Sequence, residues 1–240
     1  MVSLPRRDED THDWIIEKEH SVDNDIGGLW DEVQFRQELH DRLFHGDIYN
    51  LTKPHRLTHL VLHHCKYTSK IFTMYDNEVR ALTGNPLFHN DEDAKGIIQG
   101  LAVDGMIVSL SMLNVANKLY SGLKGHGAPW PFENCVSLII KHVGRLAKTV
   151  EDIDHMAQTN PIGEVVGVLQ EMTHCYTDIF TYFGDSERDM IEKVYARLNF
   201  IEEKNMYGDR LQAQMLQIIN AARDRKGLRQ LTAKAARVGS

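Results

Sequence analysis

Hydrophobic positions recur along most of this chain at spacings of three and four, the period of an amphipathic helix. The stretch 29–44, "LWDEVQFRQELHDRLF", predicts a first helix of this kind. Over 57–74 the residues Leu57, Leu60, Val61, Cys65, Ile71 and Phe72 fall on one helical face. Residues 97–120 are apolar nearly all round, which predicts a central helix covered on most sides. Val136, Ile139, Ile140, Val143, Leu146, Ala147 and Val150 form the cleanest stripe. A further pattern over 162–183 carries Ile162, Val165, Val166, Leu169, Met172, Tyr176, Ile179 and Phe183. A last amphipathic helix is expected over 211–222, from Leu211, Met215, Ile218, Ile219 and Ala222. No stretch alternates with period two between hairpin turns, so the expected class is all-α.

Breaks between the patterns carry recognisable chemistry. "SGLKGHGAPWPFEN" is a Gly- and Pro-rich connector, and "TGNPLFHNDEDAKG" is a second interruption. "TNPIG" ends one helix, and Pro161 suits the first turn of the next. Ser186 with Asp189 resembles a capping box that opens a helix running to about residue 204. These breaks divide the chain into an acidic, flexible arm (1–27), two helical half-bundles (28–124 and 125–222) and a basic tail (223–240).

The halves can be laid over each other. "HHCKYTSKIFTMYDN" (63–77) aligns without a gap on "KHVGRLAKTVEDIDH" (141–155), matching His64 with His142, Lys70 with Lys148 and Asp76 with Asp154. The following helices, 101–120 and 164–183, align in turn. Sparse identities leave chance likeness between two amphipathic helix pairs as the alternative to duplication.

Composition changes this picture little. The chain has 240 residues, 42% hydrophobic and 25% charged, as in ordinary globular proteins. A formal charge of −7 argues against nucleic-acid binding by the chain as a whole, leaving only the basic tail for such a contact. Apolar runs such as "MIVSLSML" are too short to span a bilayer, so no membrane is expected. Three cysteines, Cys65, Cys135 and Cys175, read as reduced thiols of a cytoplasmic protein.

The second half resembles the MazG-like, all-α nucleoside triphosphate pyrophosphohydrolase superfamily. That family's first catalytic helix reads roughly L-x-x-E-V-G-E-L-A-K, and the frame here is "LIIKHVGRLAK". Its second reads E-L-A-D-V-L, and the frames here are "EVVGVL" and, in the first half, "LAVDGM". "MIEKVYARLNFIEEKNMYGDR" is similar to the family's last helix, so the likeness covers about residues 57–210. It implies a bundle of two MazG-like helix-pair repeats that cleaves a nucleoside triphosphate to the monophosphate and pyrophosphate. Such chemistry uses Mg²⁺ held by carboxylates on facing helices, since Mg²⁺ takes oxygen ligands in octahedral geometry.

The acidic letters are mostly missing. His142 and Arg145 stand at the first pair of the second half, His64 and Tyr67 at that of the first. Asp104 survives in one half and Glu164 in the other, so these two are the expected catalytic acids and Mg²⁺ ligands. His64, His142, Arg145 and Lys148 are the expected phosphate contacts, because a guanidinium binds phosphate bidentately and an imidazole adds a titratable donor. The alternative is a catalytically inactive helical interaction or nucleotide-sensing module, and homo-oligomerisation is open in either case. Glu171 and His174 make one E-x-x-H unit, short of the set a di-iron bundle needs. "LHD" (39–41) precedes any partner histidine that an HD-type hydrolase order would want.

Overall fold

A computed structural model describes residues 6–7, 14–15, 26–82, 92–120, 129–155 and 161–205. Seven helices account for nearly all of them: α1 (Ile26–Phe44), α2 (Gly46–Tyr49), α3 (Lys53–Leu82), α4 (Glu92–Val115), α5 (Phe132–Asp154), α6 (Pro161–Thr181) and α7 (Glu187–Asn205). Two-residue strands β1 (Arg6–Arg7) and β2 (Trp14–Ile15) pair antiparallel, Arg6 opposite Ile15, within the segment read as a flexible arm. The helix expected over 211–222 and the basic tail lie outside the described residues.

Four helices form a bundle in which α3 and α6 each flank both α4 and α5. Helices α1 and α7 pair with each other and lie across α4 as a second layer. Helix α4 is therefore covered by α1, α3, α6 and α7, which is why a helix apolar on every side is stable there. Its side chains Ala102, Met106, Leu110 and Leu113 are wholly buried. The statement that no apolar run could span a bilayer needs correcting. Ala94–Val115 is long and apolar enough to do so, although most of it is buried between the layers.

Helix ends follow local chemistry. Asn117 adopts a left-handed φ of 55° after α4; its N–H donates to the Asn114 carbonyl and that of Lys118 to Leu113. This is the Schellman arrangement, and asparagine is the non-glycine residue that tolerates it best. The Ser186 hydroxyl accepts from the Asp189 N–H at 3.2 Å, and the Asp189 carboxylate accepts from the Ser186 N–H at 2.7 Å. The expected capping box thus opens α7, and Pro161 occupies the first position of α6 as expected.

Two buried stripes differ from those expected. On α3 the core-facing line is Leu57, Val61, His64, Thr68 and Ile71, while Cys65 and Phe72 are exposed. On α5, Ile140 and Ala147 face outward and His142 is fully buried. The reason lies across the bundle. The His64 Nδ1 shares a hydrogen bond with the Tyr176 hydroxyl at 3.1 Å, and its ring lies parallel to that ring. Tyr176 itself closes over Gly105, where a Cβ would fall inside the ring's van der Waals envelope.

Helix α1 buries a face that is largely polar, because its partners are polar too. Arg36 and His40 both pair with Glu202 of α7 inside the protein. Gln34 bridges the Asn114 side chain, the Lys118 carbonyl and the Tyr120 N–H, fastening the chain just after α4. The Trp30 indole N–H donates to Glu187, and its ring meets Tyr120 edge-on.

Candidate functional site

Between α1 and α2 on one side and α3 and α4 on the other lies a cavity of about 190 Å³. Its wall on the α1 side is Gln37, His40 and Asp41, with His45 just before α2 and Tyr49 at the end of α2. The facing wall is Arg56, His59, His63 and Tyr67, which recur along one face of α3. Asp104, Ile107 and Ser111 of α4 line it further. Four imidazoles, one guanidinium and two carboxylates thus meet around a space smaller than the few hundred Å³ of a drug-sized pocket. It suits one end of a ligand.

Each wall has its own bonding. Asp41 accepts hydrogen bonds from the Gln37 amide at 2.9 Å and from the Ser111 hydroxyl. Burial, opposed by the Ser111 bond, raises its pKa to about 6. The Arg56 guanidinium lies 4.4 Å from the centre of the Tyr49 ring, whose hydroxyl donates to Glu38. This stacking holds a cation at the rim without consuming its N–H groups. His59 and His63 sit one turn apart with ring centres 4.7 Å apart. Burial, followed by the neighbouring His59 and Lys66, lowers the pKa of His63, and Asp104 pulls the other way. Burial lowers that of His45 as well.

Of the residues expected from the sequence, Asp104 alone lines this cavity. Its carboxylate receives two hydrogen bonds from Arg197 of α7, at 2.8 and 3.2 Å. Glu164 lies on the exposed first turn of α6, 3.6 Å from Arg145. The structure does not bring the two acids together. Asp104 adjoins Gly105, which touches Tyr176, whereas Glu164 precedes Tyr176 in α6 by twelve residues, about 18 Å along the axis. Separated and each facing an arginine, they do not fit a shared Mg²⁺ ion, and among the described residues no cluster of three His, Cys, Asp or Glu side chains converges as a finished metal set.

The expected phosphate contacts are also dispersed. His64 is sealed in the core, where burial drops its pKa to about 3 and keeps it neutral, with a proton to share only with Tyr176 and Ser109. His142 is 1% exposed, and its Nε2 lies 2.9 Å from the Glu171 carboxylate, in poor line for a hydrogen bond. Burial lowers its pKa against the pull of that carboxylate. Glu171 therefore faces His142 of the neighbouring helix. Arg145 is solvent-facing, and Lys148 binds Glu151 and Asp152 on its own helix. Only His142, Arg145, Glu164 and Glu171 share a seam, that between α5 and α6.

The residues that build the cavity were missed in the sequence. A signal existed in His59 and His63, whose separation of four puts two imidazoles on one helical face. His40 and Asp41 fail the chain order of an HD-type hydrolase, but that order says nothing about where a helix packs.

Compared with known proteins, the chain matches no family model, no curated protein and no solved structure. The likeness to the MazG-like superfamily rests on the residues quoted for it.

Proposed function

We propose that this chain is a duplicated MazG-like bundle that binds a nucleoside triphosphate and does not cleave it through Mg²⁺. The observation that carries the reading is the position of Tyr67 and Asp104. Both occupy first-half positions that the family frame assigns to catalytic acids, and both line the cavity. On this reading the phosphates enter the cavity, where Arg56, His59 and His63 offer donors in place of the carboxylates. An Mg²⁺-bridged mechanism has no support from Asp104 or Glu164, since each faces an arginine and the two stand far apart along the bundle.

Duplication is supported by the packing. Hairpin α3–α4 corresponds to α5–α6, with α3 against α5 and α4 against α6, the contacts a pseudo-twofold axis relates. The matched residues His64 and His142 are both fully buried. Superposing 63–77 on 141–155 should then carry α4 onto α6. The functional test is binding of the common nucleoside triphosphates with Mg²⁺ and with chelator, together with pyrophosphate release. Binding that persists in chelator with no pyrophosphate is expected. Pyrophosphate release that depends on Mg²⁺ and is abolished by Asp104→Asn contradicts the proposal.

A further inference from the structure

The charge of a phosphate chain in this cavity is only partly matched by the walls. Arg56 is the one arginine or lysine among the described residues that line it. Asp104 lines it too, with its carboxylate already bonded to Arg197. Asp41, on the other wall, accepts bonds from Gln37 and Ser111, and burial lifts its pKa to about 6. A triphosphate is more negative than one guanidinium can offset, since its terminal phosphate alone carries about −1.5 to −2 at neutral pH. Without a metal ion, the remaining charge has to come from groups that gain a proton.

His59 and His63 fit that requirement. They stand one turn apart on one face of α3 with ring centres 4.7 Å apart, and both are half-buried, within reach of solvent protons. His40, by contrast, is held through Nδ1 by Glu202. Two imidazolium charges so close repel each other, which opposes a second proton until an anion lies between them. The surroundings of His63 act in the same sense: burial, then His59, Lys66 and His45, oppose its proton, and Asp104 favours it. Arg56 lies one turn before His59 on the same helix, and His40, Asp41 and Tyr49 stand across the cavity. A phosphate oxygen between the two rings reverses this balance, because each imidazolium can then donate a charge-assisted hydrogen bond to it.

We propose that the cavity takes the phosphate chain of its ligand free of divalent metal, and that His59 and His63 gain a proton as the chain enters. The inference rests on the nucleotide-binding reading above and adds the state of the ligand: fully charged phosphates, with a proton drawn from solution. The Mg²⁺ complex is the poorer ligand. Its metal already neutralises the oxygens that the imidazoles would meet, and both carboxylates lining the cavity are bonded within the protein.

The test is calorimetric titration of the full chain with each of the common nucleoside triphosphates in chelator, from pH 6.5 to 8. Each titration is run in two buffers of different ionisation enthalpy, so that the heats count protons. Uptake of about one proton at pH 7 is expected, with affinity falling by up to about tenfold per pH unit above it. The terminal phosphate's own ionisation, near pH 6, is common to all variants and cancels between them. In His59→Gln/His63→Gln the uptake should fall to near zero, with circular dichroism confirming the helices. His59→Lys/His63→Lys, charged throughout this range, should bind without uptake and about as tightly at pH 8 as at pH 7. Excess Mg²⁺ should weaken binding to the wild type by about tenfold, the worth of one charge-assisted hydrogen bond. Binding without uptake, uptake that survives in the glutamine variant, or equal affinity in Mg²⁺ overturns this inference and leaves nucleotide binding standing. No binding at any pH overturns both.

Discussion

Replacing Gly105 with alanine isolates the packing that sets His64 inside the bundle. The added Cβ would sit inside the contact distance of the Tyr176 ring. That ring cannot give easily, because it is wholly buried and its hydroxyl is bonded to His64. Overpacking of a close-packed core costs about 1–3 kcal/mol. Alanine returns up to about 1 kcal/mol through its better helix propensity, so a net loss of about 1–2 kcal/mol is expected. At roughly 2–4 °C per kcal/mol for a chain of this size, the melting temperature should fall by about 2–8 °C. Gly100→Ala and Gly167→Ala are the internal controls. Both glycines are exposed on helices and nothing lies within 4 Å of an added Cβ, so each change should be neutral or stabilise by up to about 1 kcal/mol. Urea unfolding of the three variants, read as a shift in midpoint at constant slope, gives the comparison. If Gly105→Ala stabilises as much as its controls, the contact between α4 and α6 is wrongly described.

Tyr176→Phe should cost about 1–2 kcal/mol by leaving the buried His64 nitrogen unsatisfied, and much less when combined with His64→Leu; simple additivity in the double-mutant cycle would refute the bond. Asp41 has a folded pKa raised from 3.8 to about 6, so its native form holds a proton that the unfolded chain has released between these values. Its contribution is therefore complete below pH 3.8 and is lost as pH rises through 6, so wild-type stability should decline relative to Asp41→Asn across that window. Urea midpoints at pH 4, 5, 6 and 7 test this, and a constant difference between the two proteins would contradict it.

Much of the helical framework is legible in the sequence because it is written in local chemistry. The apolar circumference of α4 forecasts its position between layers, and Pro161 and the Ser186–Asp189 pair mark helix starts where they occur. The stripes of α3 and α5 are less legible, because His64 and His142 look like solvent-facing residues in a hydropathy pattern. Tyr176 supplies the polar partner that lets His64 be buried, and it comes from a helix more than a hundred residues away. The buried polar face of α1 is hidden in the same way, since Glu202 and Asn114 meet it from distant segments. The cavity is the least legible feature. It lies between α1–α2 and α3–α4, and no periodicity encodes a gap between separately packed helices. Aligned motifs singled out Asp104, which lines the cavity, but could not reveal Arg197, which occupies the carboxylate.

Imidazole resonances observed during titration with a nucleoside triphosphate test the central proposal most directly. Chelator should be present throughout, so that only direct contact with the protein is read. The account predicts that His59 and His63 shift together and saturate with the ligand, and that both responses weaken in Arg56→Ala, which removes the cation at the rim. Shifts confined to His142, at the seam carrying Arg145 and Glu164, would place the ligand on the α5–α6 face and contradict the account, as would the absence of any response.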